Sequence, residues 1–251
     1  MICLKTKEWQ IENIETVLFD KDGTFIDLHY FWGKMTELRA LEIIKRYSLE
    51  QTLLEKLCFY LGYDVNTGKM LSDGITALYS RVKIIEIFKQ NLTEIGLIVS
   101  EKELEEIFDY VSTVFYKNMI EYTKPIPEAI DFIKKLRTQN VKVGVVTSDS
   151  KESTLLTLKQ FNWESLFDVV IGRESTSETK ESGIPTKLAM EILDSNPKTT
   201  IMIGDAPMDY ISAKNAGIEK TILVSTGQIN LSALKNTSDF VLKSLSEIEI
   251  V

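Results

Sequence analysis

Short apolar runs of strand length recur toward both ends of the chain. They are Thr16–Asp20 (TVLFD), Val141–Asp149 (VKVGVVTSD), Phe167–Gly172 (FDVVIG), Thr199–Asp205 (TTIMIGD), Lys220–Val224 (KTILV) and the shorter Asp239–Leu242 (DFVL). All are rich in Val, Ile or Thr and nearly continuous in hydrophobicity, as parallel strands buried on both faces are. Segments with a helical apolar period separate most of them: Pro127–Gln139, Ser153–Trp163, Pro185–Ser195 and Met208–Gly217. Pro127 and Pro185 stand where a first helical turn tolerates proline, and Gly217 stands where a helix stop is expected. The alternation predicts an α/β chain built on a doubly wound parallel sheet.

The first strand breaks the rhythm. After Asp27 the next strand–helix unit does not begin until about residue 124. The intervening stretch reads as helical throughout. Met35–Gly62 and Ile75–Leu92 repeat apolar residues at three- and four-residue steps. Ser100 with Glu103 three residues on makes a capping-box start. The pattern predicts a helical module of about four helices inserted at 28–123, with residues 1–27 and 124–251 forming the core. The apolar helix faces are read as that module's own core.

Composition narrows the classes of partner. The 251-residue chain has a formal net charge of −8. Nucleic acid and anionic membrane both need a basic footprint, so neither is expected. A small anionic substrate remains compatible, because a local site can be positive on a negative protein. The two cysteines, Cys3 and Cys58, form no zinc spacing and no disulfide framework. They read as free thiols of a reducing cytoplasm. The N-terminal MICLKTKEWQ has no long apolar region, so no signal peptide is expected. No apolar run approaches the roughly 20 residues of a membrane span.

In open α/β sheets ligands bind beyond the carboxyl ends of the strands, so polar residues at those ends matter. The first end presents Asp20, Asp22, Gly23 and Thr24. An aspartate pair separated by one residue can aim oxygen donors at a hard cation such as Mg²⁺. Gly23 permits a turn that bares N–H groups to an anion. A carboxylate there can attack phosphorus, with Asp20 as nucleophile and Asp22 as proton shuttle; an acidic surface turn would use the same residues. The second end offers the hydroxyls of Thr147 and Ser148 to a phosphate oxygen, or as turn and cap groups. The run Thr199–Asp205 ends on Asp205, a further metal ligand. Asp209 opens the next helix, where it either supports Asp205 or simply meets the helix dipole. Converging carboxylates need a cation besides the metal. Lys180 and Lys187 are the candidates.

Together these residues resemble the haloacid dehalogenase superfamily. FDKDGT, then a strand ending in Thr-Ser, then a lysine, then GDAPMDYISAKNAG are similar to its four motifs in order and spacing. The likeness spans nearly the whole chain. It is nearest the phosphoglycolate-phosphatase-like branch, in which a helical cap is inserted between the first and second motifs. The resemblance implies a Rossmann-like core with a cap that closes over substrate. It makes Asp20 the nucleophile, Asp22 the general acid/base and Thr147 a phosphoryl ligand. Asp20, the backbone carbonyl of Asp22 and Asp205 would hold Mg²⁺, with Asp209 in support. A lysine should bridge nucleophile and phosphate. The family often writes it Lys-Pro-x-Pro, and here KESGIP stands instead. Counting back 25 residues from Asp205, the family's usual interval, lands on Lys180. Alignment on Pro185 would put Ser182 there, and Lys187 is the runner-up.

The expected activity is Mg²⁺-dependent hydrolysis of a small phosphorylated metabolite in the cytoplasm, through an aspartyl-phosphate. A phosphomutase of the same superfamily is the alternative. The dehalogenase and phosphonate-cleaving branches lack the second aspartate, which this chain has. Four other features are set aside. Gly62–Met70 has the wrong spacing for a phosphate-binding P-loop. His29 is a weak candidate base. Tyr30, Phe31 and Trp32 read as hinge or cap packing, and Arg81 as part of a solvated helix face. Neither the substrate nor the oligomeric state is legible.

Overall fold

The computed structural model describes residues 1–251. The chain divides into two compact units, one of residues Met1–Asp27 with Lys124–Val251 and one of Leu28–Thr123. No helix is long and apolar enough to cross a membrane.

The first unit opens with β1 (Ile2–Lys5), β2 (Gln10–Ile14) and β3 (Thr16–Phe19). β3 is buried at every residue.

The second unit is helical except for one hairpin. It contains α1 (Leu28–Arg46), α2 (Leu54–Tyr60), the paired two-residue strands β4 (Tyr63–Asp64) and β5 (Lys69–Met70), α3 (Ile75–Leu78), α4 (Arg81–Thr93), α5 (Glu101–Lys117) and α6 (Met119–Tyr122). The expectation of helix throughout is therefore corrected at residues 63–70. Gly62 has φ 88°, which ends the helical run. The Asp64 side chain then accepts from Asn66 N–H, turning the chain back on itself. The segment that mimics a P-loop is this hairpin. His29 Nδ1 accepts from Met70 N–H at 3.1 Å, which ties the hairpin to α1. Ser100 and Glu103 form the reciprocal capping box at the start of α5.

The core of this unit is aromatic and aliphatic. Phe31 of α1 packs edge-on against Phe115 of α5, with Phe88, Phe108, Leu92 and Leu104 fully buried nearby in sequence. Arg39 is the exception: it is only 6% exposed and lies 4.1 Å over the Phe108 ring. Burial, then the nearby Arg81 charge, pushes its guanidinium down to about 9. The ring face supplies part of what water would have given that cation. Arg81 donates to the Asp109 carboxylate at the surface, as its solvated-face reading expects.

The chain then returns to the first unit through α7 (Pro127–Thr138), β6 (Lys142–Val146), α8 (Lys151–Gln160), β7 (Val169–Ile171), α9 (Ile184–Ile192), β8 (Thr200–Gly204), α10 (Pro207–Asn215), β9 (Lys220–Val224), α11 (Leu231–Leu234), β10 (Phe240–Leu242) and β11 (Glu249–Ile250). Six strands make one sheet in the order β10-β9-β8-β3-β6-β7, and every pair is parallel. Strand order reverses at β3, the first strand of the sheet. That reversal is the switch point where doubly wound sheets bind ligands.

Alternation along β3 sends Leu18 and Phe19 to opposite faces. Leu18 joins Val146, Ile171 and Met202 against Ala189, Met190 and Leu193 of the α9 region and Ala213 of α10. Phe19 meets Phe132 of α7 on the other face. Each face is thus covered by helices, as a continuous apolar strand requires. Gly217 sits at φ 88° just after α10, the left-handed stop its position implies.

The separate antiparallel sheet β11-β1-β2 joins the two chain ends. Sequence reasoning gives no sign of it, since its strands are short and its pairing spans nearly the whole chain.

Candidate active site

The carboxyl ends of β3, β6 and β8 bring together the residues picked out from sequence. Asp20 follows β3, and its N–H donates to Ile203 O of β8 at 2.8 Å. The chain then turns sharply. Lys21 O accepts from the N–H groups of Thr24, Phe25 and Ile26, and Gly23 N–H donates to Ile26 O. Gly23 has φ 87°, a conformation costly for other residues. A Cβ at Gly23 would also run into the Asp205 carboxylate. Thr226, on the loop after β9, closes the turn by donating to Gly23 O at 2.5 Å.

Asp205 ends β8. Asp209 lies in the first turn of α10, where its Oδ2 accepts from both Asp205 and Ala206 N–H at 3.0 Å. Asp209 Oδ1 meets Lys180 Nζ at 2.6 Å, and the same Nζ donates to Asp20 Oδ1 at 2.6 Å. Lys180 reaches them from a one-turn 3₁₀ helix, Lys180–Ser182, that ends on left-handed Gly183. Lys187 is exposed on α9, and Ser182 Oγ donates to Thr179 O. Of the three candidates, Lys180 contacts Asp20.

Thr147 lies just beyond β6, buried, its Oγ1 accepting from Asp149 N–H at 3.1 Å. That leaves its O–H to donate. Ser148 is exposed and its Oγ lies 3.4 Å from Met208 Sδ.

Two lysines face five carboxylates in this region. Lys180 serves Asp20 and Asp209, while Lys21 serves Asp22 at 2.8 Å and Asp149 at 2.9 Å. Asp205 is left over. It is buried, with no protein hydrogen bond or ion pair at its carboxylate, and a Cβ at Gly227 would collide with it. The electrostatics follow from this imbalance. Burial raises Asp20 to about 7, against the lowering effect of Lys180 and with the help of Asp209 and Asp22. Burial, then Asp20 and Asp209, pushes Asp205 well above the usual carboxylate range. For Lys180 burial works toward the neutral amine, but Asp20 and Asp209 outweigh it and hold the ammonium charged. Lys21 behaves likewise between Asp149 and Asp22. Burial would raise Asp149 too, yet Lys21 prevails and keeps it below its ordinary value.

Such a site wants a cation beside Asp20 and Asp205. No three His, Cys, Asp or Glu side chains are arranged to enclose one by themselves. A magnesium ion does not need that many, since it keeps several waters and binds through one or two carboxylates plus phosphate oxygens. The buried carboxylates of Asp20 and Asp205, both oxygen donors, suit such an ion.

Sequence reasoning passed over Lys21, Asp149, Thr226 and Gly227. The lysine stood in plain view between the two aspartates. Its role depends on Asp149, which no spacing rule links to it. Thr226 and Gly227 lie on a loop after a fifth strand end that offered no acidic or phosphate-binding pattern.

Known proteins match the chain over most of its length. The haloacid dehalogenase-like hydrolase family matches residues 17–224. A phosphoglycolate phosphatase of Aquifex aeolicus is 27% identical over 235 residues, covering 94% of this chain and 95% of its own. The pyrophosphatase PpaX of Bacillus mycoides is 24% identical over 238 residues, covering 94% and 95%. Among solved structures, a subfamily IA hydrolase of Geobacter sulfurreducens superposes with a TM-score of 0.63 at 17% identity, covering 94% of both chains. A β-phosphoglucomutase of Clostridium difficile does so at 0.60 and 17% identity, covering 93% and 92%. At such identity these likenesses speak for the fold. With the family pattern running through both the strand-end carboxylates and the sheet that presents them, the chain belongs to the haloacid dehalogenase-like hydrolases.

Proposed function

We propose that the protein is a Mg²⁺-dependent phosphatase acting on a small phosphomonoester through an aspartyl-phosphate on Asp20. One observation above all supports this: Lys180 Nζ bridges Asp20 and Asp209 while the buried Asp205 beside them has no protein partner. A structural acidic cluster would be neutralised from within. This one is short of positive charge where a bound divalent cation would bring it.

In the first step an Asp20 oxygen attacks phosphorus, the bond to the leaving oxygen breaks, and that oxygen takes a proton from Asp22. In the second step water attacks the same phosphorus, its proton passes to Asp22, and the Asp20–phosphorus bond breaks to release inorganic phosphate. Proton transfer of this kind is worth roughly 10²–10⁴-fold. Lys180 and the Thr147 hydroxyl stabilise charge on the equatorial oxygens, while the N–H groups of Gly23, Thr24, Phe25 and Ile26 are spent within the turn rather than bared to an anion. Asp20, the Asp22 carbonyl and Asp205 would hold Mg²⁺, with Asp209 bracing the Asp205 loop. When bound, the ion supplies charge neutralisation at the phosphoryl oxygens.

Release of inorganic phosphate with and without Mg²⁺ tests the reading. The panel is p-nitrophenyl phosphate, phosphoglycolate, pyrophosphate, sugar phosphates and nucleoside monophosphates. Phosphoglycolate and pyrophosphate are tried first because relatives carry those names. Mg²⁺-dependent release is expected. Phosphosugar isomerisation dependent on a bisphosphate activator, with little free phosphate, would instead identify a phosphomutase.

The charge imbalance also predicts a pH-dependent stability. A carboxyl whose folded pKa is raised binds protons better when folded, so stability falls as pH rises from its unfolded value through its folded one. Asp20, raised to about 7, and Asp205, raised in the same direction, face Lys180, Asp209 and Asp22. Without divalent cation the melting temperature should therefore decline between about pH 5 and pH 7.5. Mg²⁺ should raise it more at the upper end of that window than at the lower. Thermal denaturation with EDTA and with Mg²⁺ at both values checks this. Equal stabilisation at both would contradict it.

A further inference from the structure

The lysine between the two motif aspartates is the most completely buried charge in the molecule. Lys21 has no exposed surface. An isolated ammonium in that position would be costly enough to lose its proton or unfold the turn. Here its Nζ meets Asp22 Oδ1 at 2.8 Å and Asp149 Oδ2 at 2.9 Å. Asp149 is fixed in turn. Its Oδ1 accepts from Ser150 N–H, its carbonyl accepts from Arg173 N–H, and its own N–H donates to Thr147 Oγ1. Asp22, Lys21, Asp149 and Thr147 thus form one continuous polar chain. It runs from the loop after β3 to the loop after β6.

We infer that Lys21 is a positioning residue, which holds the Asp22 carboxylate at the leaving oxygen and keeps it in register with Thr147 on the neighbouring strand end. The inference rests on the phosphatase reading given above. Neither neighbour of Lys21 does this work alone. The backbone of Lys21 shapes the turn through its carbonyl, which any residue would supply. Its side chain is what joins Asp22 to the second loop. An apolar residue in its place would keep the turn and remove the link between Asp22 and Asp149.

Displacing Asp22 has a signature that general loosening of the fold does not share. A weakly basic leaving group departs without a proton, whereas an alkoxide needs one. The value of kcat/KM reports events through departure of the leaving group, and water's later attack enters only kcat. Lys21→Met should therefore lower kcat/KM by roughly 10²-fold on propyl phosphate, at the low end for lost proton transfer. On p-nitrophenyl phosphate it should stay nearly unchanged, while kcat falls on both. Phenyl and trifluoroethyl phosphate should fall between them in order of leaving-group basicity.

Lys21→Met leaves the buried Asp149 carboxylate facing the half-buried one of Asp22, so folding is checked by circular dichroism. The double variant Lys21→Met/Asp149→Asn removes one of those charges and should show the same leaving-group-selective loss in a folded protein. A crystal structure of the folded variant should find the Asp22 carboxylate moved from its place. Loss by one common factor across all four esters, or Asp22 unmoved, would overturn the assignment. If the unmodified protein releases no phosphate from any ester, the phosphatase reading fails, and the position of Asp22 in the variant decides the role of Lys21 by itself.

Discussion

Asp20→Asn is expected to abolish phosphate release, by on the order of 10⁴-fold or more in kcat, while the protein stays folded. Losses of that size accompany removal of a covalent nucleophile, because the remaining groups act only in concert with it. The amide keeps the shape of the carboxylate and can still accept from Lys180 Nζ, which lies at 2.6 Å from Oδ1. It cannot attack phosphorus. The fold should not suffer, because burial already works against the Asp20 charge and raises the carboxyl to about 7. In metal-free solution near pH 7.5 the variant should melt at the same temperature as the parent or above it. An initial-rate assay beside a thermal melt tests both halves. Near-full activity in the folded variant would remove Asp20 from the mechanism.

Lys180→Met should act in the opposite sense on stability. The side chain is 3% exposed and is shared by Asp20 and Asp209. Taking one partner out of a buried ion pair leaves uncompensated charge, which typically costs about 3–5 kcal/mol. For a unit of this size that corresponds to a fall of roughly 6–20 °C in melting temperature. Added Mg²⁺ should recover part of the loss, since a divalent ion beside Asp20 supplies charge that the lysine no longer does. Activity should fall as well, because Lys180 is aimed at the nucleophile and the phosphate it receives. A melting temperature unchanged in EDTA would mean that the ion pair does not hold this site together. The same substitution at Lys187, exposed on α9, should change neither property.

Much of the fold follows from short-range pattern. The apolar runs are strands because both faces of the sheet are covered, which removes any need for polar alternation. Pro127 opens α7, Ser100 with Glu103 caps α5, and Gly217 ends α10, each through chemistry confined to a few residues. The helical unit was legible for the same reason, apart from its hairpin. Tyr63–Asp64 and Lys69–Met70 are too short to show a strand period. The β11-β1-β2 sheet was illegible because its pairing partners, such as Leu4 and Ile250, stand at opposite ends of the chain.

The site divides along the same line. Residue type and position at strand ends determined Asp20, Asp22, Thr147 and Asp205 as candidates, because a parallel sheet delivers the carboxyl ends of neighbouring strands to one edge. They also determined the family, whose motifs are local. Only the tertiary structure decided how charge is distributed among them. It placed Lys180 rather than Lys187 on Asp20, 160 positions away in sequence. It spent Lys21 on Asp22 and Asp149, and left Asp205 buried with no protein partner. Coulombic energy and desolvation depend on distance through space and on exclusion of water. Neither quantity exists along the chain until the strands are laid side by side.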